Sequence, residues 1–361
     1  MTTIIFSGLI KCEKTFCRIY LKMMNRLSRK IPIQLLIIIL INTFTMPLSH
    51  SQDKKNFKRT LIISGGGTRA SWGSGFAKGL VESGKEYEIV GGTSAGALIM
   101  SSIILNQFEE LETLFNSINN KDIYNVNPLR PNGEIRVLNS IFRTLFGYPS
   151  IGESKNLRKL IEKIFTKEDY NAIQEQQKIL FCVTTNLNTS KKFIKSTQSS
   201  KYKDMLDWIW ASASVPVLMK PVEKEGQSWV DGGLIDNIPI KGAVVKGAKI
   251  IDVIALFPET PVQWKSSNKL IEIAGRAFDI LLNTSFRDDI VIGELLSELA
   301  EGTEINIYYM PEKDAIFLSN IFSFEHEILS EGFRRGYESF KNTTMLKKTY
   351  IMKGDAMIYK K

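Results

Sequence analysis

The stretch Tyr87–Leu98 reads YEIVGGTSAGAL and is the most informative part of this 361-residue sequence. A short apolar run, Ile89–Val90, leads into a glycine-rich turn, and a segment with helical character follows. A strand, a tight turn and a helix form the context in which Gly-x-Ser-x-Gly becomes a nucleophile elbow. The sequence therefore predicts that Ser94 is an exposed nucleophile, and that Gly92 and Gly96 give the turn room because they lack a Cβ atom.

A second glycine-rich turn precedes the first one along the chain. Arg59–Ser64 has the β-branched composition of a strand, Gly65–Gly67 follows it, and Ala70–Ser83 has the periodicity of a helix. Two successive strand–turn–helix units are typical of a parallel sheet flanked by helices, which is an α/β fold. Consecutive glycines let backbone N–H groups point into a shared cavity, so we interpret this turn as an oxyanion-binding loop.

The same turn also has the spacing of a dinucleotide-binding fingerprint, Gly65-x-Gly67-x-x-Ala70. Such a site needs an acidic residue at the end of the second strand to hold the ribose. Glu86 and Glu88 lie at the start of that strand, and the serine turn occupies its end. We therefore favour the oxyanion-binding loop, and a turn that serves only close helix packing is the simpler alternative.

A third candidate residue, Asp231, follows the apolar pair Trp229–Val230 and precedes Gly232 and Gly233. A carboxylate at the end of a strand, beside a backbone that other groups can approach closely, is placed to act on a neighbour across the sheet. The simpler alternative is an ordinary Asp-Gly turn between strands. Asp236 is a nearby substitute for the same role.

Histidine is too scarce for a Ser-His-Asp triad to be favoured, because the chain contains only His50 and His326. His50 lies in a predicted export signal, and His326 is flanked by acidic residues typical of a solvated surface. A carboxylate base for Ser94 is therefore the better prediction. Without a His/Cys cluster of ligand spacing, we expect no metal and no other cofactor. Cys182 lies in an apolar run and is predicted to be a core thiol.

The net charge of +9 comes mainly from residues 1–51, which hold seven basic residues and one acidic residue. The rest of the chain has 40 basic and 37 acidic residues, so its charge does not favour nucleic-acid binding. Basic positions precede the apolar run Leu35–Ile41, and a small-residue cleavage site follows at Ser51. We expect a signal for export to the periplasm or the medium, with a retained N-terminal membrane anchor as the alternative.

Three motifs in this order resemble the signatures of the patatin-like phospholipases. They are Gly65-Gly66-Gly67-Thr68-Arg69, Gly92-Thr93-Ser94-Ala95-Gly96 and Asp231-Gly232-Gly233. The segments Ala211–Pro216 and Thr185–Thr189, and the pair Asn237 and Pro239, are similar to further parts of that family. The match covers about residues 59–260, and three ordered motifs are far more specific than any one of them.

The resemblance implies a three-layer α/β sandwich with a mainly parallel sheet in residues 52–260, and we expect a helical extension packed on it at 261–361. Within the extension, the sequence pattern predicts long helices over Asn268–Ala300, a strand at Glu304–Met310 and a closing helix at Glu325–Phe340. It implies hydrolysis of lipid acyl esters at a membrane surface, with Ser94 as nucleophile and Asp231 as base. It also implies an oxyanion hole in the loop Gly65–Arg69, formed by the glycine backbone with Thr68 and Arg69 nearby.

One position departs from the family pattern, because Ala70 stands where the family often has glycine. This departure keeps open an alternative, a lipid- or partner-binding protein of the same fold with weak turnover.

Overall fold

The structure is a computed structural model that describes residues 59–130, 134–260, 280–281, 284–285, 287–289, 303–342, 347–353 and 356–360. The export signal predicted at 1–51 and most of the helices predicted over Asn268–Ala300 lie outside these residues and stay predictions. Among the helices within the described ranges, none combines the length and the apolar character that a membrane span requires.

Within the described residues, ten strands form one sheet. They are β1 (Arg59–Ile63), β2 (Ile89–Thr93), β3 (Ile179–Asn186), β4 (Lys191–Ser196), β5 (Val222–Lys224), β6 (Gln227–Asp231), β7 (Ile250–Ala255), β8 (Glu304–Tyr309), β9 (Lys347–Lys353) and β10 (Ala356–Lys360). Their order is β10-β9-β8-β7-β1-β2-β3-β6-β5, and β4 pairs with β3 outside this order. The pairs β8–β7, β7–β1, β1–β2 and β2–β3 are parallel, and the pairs toward both ends of the order are antiparallel.

Helices flank this sheet. They are α1 (Ala70–Glu82), α2 (Ala95–Ile104), α3 (Phe108–Phe115), α4 (Asn120–Ile123), α5 (Val137–Leu145), α6 (Lys155–Ile164), α7 (Lys167–Glu175), α8 (Tyr202–Ser212), α9 (Ile240–Val245), α10 (Glu312–Phe317) and α11 (His326–Lys341). Short 3-10 turns at Gly67–Arg69 and Gly232–Leu234 follow the tips of β1 and β6. Both turns fall on motifs that the sequence analysis singled out.

The central strands have the composition of strands that are covered on both faces. Leu61–Ile63 of β1 and Val253–Ala255 of β7 are buried runs without a polar residue, as expected for parallel strands between helices. Helix α1 ends at Glu82. In the turn that follows, Gly84 adopts a φ of 87°, a conformation that glycine tolerates best. The α/β prediction, with a central parallel sheet and flanking helices, is confirmed.

The C-terminal region contributes strands to the sheet, whereas the sequence analysis predicted mainly a helical extension. The predicted strand Glu304–Met310 and the predicted helix Glu325–Phe340 are present as β8 and α11. However, β8 pairs in parallel with β7, and β9 and β10 continue the same sheet. Residues after 260 therefore belong to the sheet as well as to its helical covering. Without β8, strand β7 would be an edge strand with unpaired backbone groups, and β8 pairs with those groups.

Candidate active site

The turn between β2 and α2 places Ser94 in a strained backbone conformation. Its φ is 54° and its ψ is −123°, which side-chain-bearing residues rarely adopt. A Cβ atom on Gly92 would lie 2.5 Å from the carbonyl carbon of Gly96, and one on Gly96 would lie 2.4 Å from the Ile63 oxygen. The two glycines therefore permit the close contacts on which this turn depends, and the serine stands at its tip.

The register of β3 brings Asp231 next to this turn. Val183 pairs with Thr93 at the end of β2, and the next residue, Thr184, pairs with Asp231 at the end of β6. The Ser94 hydroxyl lies near enough to the Asp231 carboxylate to lower its pKa. Two residues from distant parts of the sequence thus form a serine–carboxylate pair.

Two hydrogen bonds fix Asp231, one at its carboxylate and one at its backbone. The Gly233 N–H donates to Asp231 Oδ1 at 2.8 Å, and the Asp231 N–H donates to the Ser214 carbonyl oxygen at 2.9 Å. Burial raises the pKa of Asp231 to about 7, although the Ser94 hydroxyl and the Gly233 N–H oppose this rise. A carboxylate of this basicity accepts a proton from a hydroxyl far more readily than an exposed aspartate does.

The elbow has a further support that the sequence analysis did not identify. The Ser94 N–H donates to Ser212 Oγ at 3.0 Å, and Ser212 is the last residue of α8. The segment that contains Ser212 and Ser214 therefore contacts both members of the pair. The sequence signal for it was the run Ala211–Pro216, which was noted only as part of the family resemblance.

The glycine loop lies beside Ser94. A Cβ atom on Gly65 would lie 3.0 Å from the Ser94 Cβ. Hydrogen bonds already occupy three of the loop's five N–H groups: Gly65 donates to Asn237 Oδ1 at 2.9 Å, Thr68 to the Ile321 oxygen at 3.0 Å and Arg69 to the Gly66 oxygen at 3.2 Å. This leaves the N–H groups of Gly66 and Gly67 as the candidates for binding an oxyanion.

Arg69 has a different environment from the one that the motif suggests. Its side chain is buried, its Nε donates to the Leu318 oxygen at 3.3 Å, and its guanidinium carbon lies 4.9 Å from the centre of the Phe257 ring. The side chain therefore anchors the glycine loop to the C-terminal region. This contact could not be expected from the motif, because Leu318 lies in a region that matches no named signature.

Asn237 and Asp289 form a second support for the loop. Asp289 Oδ2 accepts the N–H groups of Asn237 at 2.7 Å and of Ile238 at 3.0 Å, and the Asn237 side chain in turn holds Gly65. Burial, together with the neighbouring Asp236 carboxylate, raises the pKa of Asp289 to about 7. Sequence reasoning missed Asp289, because no pattern distinguishes it from other acidic residues.

The alternative base and the alternative triad find no support in the geometry. Asp236 Oδ2 accepts a hydrogen bond from Lys192 Nζ at 2.7 Å, so this carboxylate is already bound in an ion pair. His326 begins α11 on the surface, and its Nε2 lies 3.2 Å from Glu327 Oε1. Cys182 is buried in β3, and burial raises the pKa of its thiol to about 12, as expected for a core residue.

An apolar pocket lies against the candidate site. Its lining includes Gly67 of the glycine loop and Ala95, the residue that follows Ser94. Most of the remaining wall consists of aliphatic and aromatic side chains from α2, α3 and α6. Leu98 of α2 and Leu114 of α3 are two of them. Such a wall suits a hydrocarbon chain better than a polar group.

Comparisons with known proteins agree with the three motifs. The family model described as patatin-like phospholipase matches residues 61–244. The chain is 25% identical over 209 residues to a probable lipid hydrolase of Invertebrate iridescent virus 6, covering 57% of this chain and 70% of that protein. It is 30% identical over 160 residues to the human patatin-like phospholipase domain-containing protein 4, covering 43% of this chain and 55% of that protein.

A third relative is much longer than the present chain. The lysophospholipase NTE1 of Meyerozyma guilliermondii is 28% identical over 211 residues, which cover 56% of this chain and 13% of that protein. The similarity is therefore confined to a small part of the fungal protein.

Proposed function

Because the chain belongs to the patatin-like phospholipase family, we propose that it hydrolyses carboxylic esters of lipids through a Ser94–Asp231 dyad and an acyl-serine intermediate. The observation that supports this most directly is that the strained elbow serine lies beside a buried carboxylate of raised pKa. The relatives named as lipid hydrolases and lysophospholipases support the substrate class.

In the first half of the proposed reaction, Asp231 removes the hydroxyl proton as Ser94 Oγ attacks the ester carbonyl carbon. The carbonyl oxygen becomes an oxyanion, and the Gly66 and Gly67 N–H groups stabilise it. When the intermediate collapses, the carbon–oxygen bond to the alcohol breaks, and the alcohol takes the proton from Asp231. The acyl group remains on Ser94 as an ester.

In the second half, water takes the place of the alcohol. Asp231 accepts a proton from this water as its oxygen attacks the acyl carbon, and the same N–H groups bind the second oxyanion. Collapse breaks the bond to Ser94 Oγ, which regains its proton from Asp231. The products are a fatty acid and the unmodified serine.

The apolar pocket supports an acyl chain as the part of the substrate that the protein holds. We expect Leu98→Trp to lower kcat/KM for esters of long-chain fatty acids by about 10-fold or more, because each excluded methylene removes roughly 0.8 kcal/mol of binding. Hydrolysis of acetate and butyrate esters should change little. A series of p-nitrophenyl esters of increasing chain length measures this. An equal loss for every chain length would place the acyl chain elsewhere.

The experiment that tests the proposed function is covalent labelling. The full chain is incubated with a fluorophosphonate, which reacts with activated serines, and its intact mass is measured beside that of Ser94→Ala. We expect one adduct on the wild type and none on the variant. An adduct on both proteins would place the nucleophile elsewhere. No adduct on either would favour the alternative in which the fold binds lipid or a partner without turnover.

A further inference from the structure

Helix α5 presents its apolar face to the solvent. This face consists of Leu138, Ile141, Phe142, Leu145 and Phe146, which follow one another at helical spacing. Leu138 is 84% exposed, Leu145 78% and Phe146 67%. A helix on the surface of a soluble protein normally turns such a stripe toward the core. Helix α5 has the opposite orientation, with its apolar stripe toward the solvent. A contiguous exposed apolar surface of this kind usually marks an interaction site.

Buried polar contacts fix this orientation. Arg143 lies on the inner face of α5, where its Nε donates to the Ser150 oxygen at 2.8 Å and its Nη2 to Glu153 Oε1 at 2.8 Å. Asn139 Nδ2 donates to the Ile151 oxygen at 3.3 Å. Rotating the helix to bury its leucines would break these bonds and leave buried polar groups without partners, which is costly. The exposure of the apolar face is thus specified by the fold.

The charges around α5 suit an anionic lipid surface. Residues 135–152 contain two arginines and no acidic residue. The acidic residues that flank this stretch are paired, since Glu134 lies 3.9 Å from Arg130 and Glu153 is bound by Arg143. Anionic headgroups would therefore meet no unpaired carboxylate along this stretch. The exposed Arg136 is the basic residue they can approach, because Arg143 is buried against Glu153.

The apolar surface of α5 also connects to the candidate site. The Ile151 N–H donates to the Val217 oxygen at 2.9 Å, and Val217 is itself an exposed apolar residue. Three residues before Val217, the Ser214 oxygen accepts the N–H of Asp231. Ile151, which holds the inner side of α5 through Asn139, is therefore linked through Val217 to the segment that supports the proposed base.

The size of the face favours a bilayer over a second copy of the chain. Nine helical residues extend about 14 Å, and one face of such a helix offers a few hundred Å² at most, roughly half of the ~800 Å² per partner in a stable protein interface. A bilayer needs only that a few large side chains enter the boundary between headgroups and acyl chains.

We propose that the outer face of α5 is a membrane-docking surface, which inserts Leu138, Phe142 and Leu145 into a lipid bilayer. The inference rests on the proposed function, because a lipid substrate is what makes a bilayer the expected partner.

Flotation with vesicles tests the inference on the full chain. The vesicles contain ether-linked phosphatidylethanolamine and phosphatidylglycerol, about three to one, which the protein cannot hydrolyse. The variant Leu138→Gln/Leu145→Gln should bind at least about 10-fold more weakly than the wild type, since two large apolar side chains no longer leave water. The matched control is Val245→Gln/Ile316→Gln, which changes side chains that are 70% and 54% exposed elsewhere and should bind as the wild type does.

Hydrolysis of a soluble short-chain ester separates this inference from the proposed function. If α5 only docks the protein, both double variants should hydrolyse p-nitrophenyl butyrate at the wild-type rate. Loss of vesicle binding with this rate unchanged supports the inference. Vesicle binding that is equal in the wild type and in the α5 variant overturns it, whereas a wild type that binds vesicles but hydrolyses no ester contradicts only the proposed function.

Photo-crosslinking identifies what touches the helix. Benzoylphenylalanine replaces Leu145 in one full-length variant and Val245 in another, and each is irradiated with the same vesicles. A lipid adduct at position 145 and none at position 245 is the expected result. A crosslinked dimer, or a crosslink from position 145 to residues 1–51 of the same chain, would show that protein covers the face and would overturn the inference.

Discussion

Replacing Ser94 with alanine is expected to lower kcat for ester hydrolysis by about 10⁴-fold or more, because no acyl-enzyme forms without the hydroxyl. The remaining groups still bind the substrate, so KM should change much less than kcat. The control is Ser117→Ala, which removes an exposed hydroxyl at the end of α3 and should leave both constants unchanged. Wild-type activity in Ser94→Ala would remove this serine from the mechanism.

The same position also affects stability in a way that separates chemistry from folding. With a φ of 54°, Ser94 carries strain that comes from having a Cβ atom, and alanine keeps this strain. Both replacements remove the hydroxyl that interacts with Asp231, so each loses about 1 kcal/mol of unfolding free energy at that contact. Relief of the backbone strain should make Ser94→Gly more stable than Ser94→Ala by about 1 kcal/mol. Both variants should be inactive. Urea denaturation measures the difference, and a large destabilisation of Ser94→Ala would mean that lost activity reports lost structure.

The parts of the site that the sequence predicts are those with local causes. A strained turn requires glycines at fixed spacing, so Gly92, Gly96 and the glycine loop are visible in the sequence itself. The parallel core follows from apolar runs between helical segments. The resemblance to the patatin-like phospholipases is confirmed by the family match over residues 61–244.

The parts that escaped prediction depend on pairings between distant residues. That Thr93 and Asp231 pair with consecutive residues of β3 is a matter of strand register, which no single segment reveals. The anchoring of Arg69 by Leu318 and the capping of Asn237 by Asp289 join the motif region to the region after residue 260. Each of these contacts involves ordinary residue types at positions that have no pattern of their own.

Helix α5 shows that an amphipathic pattern does not by itself decide which face of a helix is buried. Its apolar spacing is that of an amphipathic helix, and the usual expectation would bury that face. The outcome depends instead on Arg143, whose ion pair with Glu153 lies inside. Where a buried charge already has its partner, the helix cannot turn without losing that pair, and the apolar side remains outside.

Replacing Asp231 with asparagine is expected to lower kcat by roughly 10³- to 10⁴-fold, since the amide cannot take the serine proton. For the wild type, the pKa of about 7 at Asp231 predicts that kcat/KM rises with pH up to about 7 and then levels off, because only the ionised carboxylate is a base. A stopped assay across this pH range measures the profile. A rate that is flat from pH 5 to 9 (about two units on either side of that pKa) would exclude this carboxylate as the base.

The Asp231→Asn variant should be less active than the wild type but more stable against unfolding at high pH. The pKa of Asp231 rises from its ordinary value of 3.8 to about 7 on folding, so the folded state binds the proton more tightly than the unfolded state does. The free energy of unfolding of the wild type therefore falls by up to about 4 kcal/mol as the pH rises from about 4 to about 7. The Asp231→Asn variant does not show this fall, because asparagine has no proton to lose.

We thus expect Asp231→Asn to be more stable than the wild type by about 2 to 4 kcal/mol at pH 8 and close to it at pH 4. The matched control is Asp204→Asn, which removes a half-exposed carboxylate paired with Lys224 and should cost at most about 1 kcal/mol at either pH. Denaturant unfolding at the two pH values measures the difference. If Asp231→Asn gained no stability at high pH, the buried carboxylate would be solvated or paired well enough to have an ordinary pKa. It would then be a weak base, and the proton of Ser94 would need another acceptor.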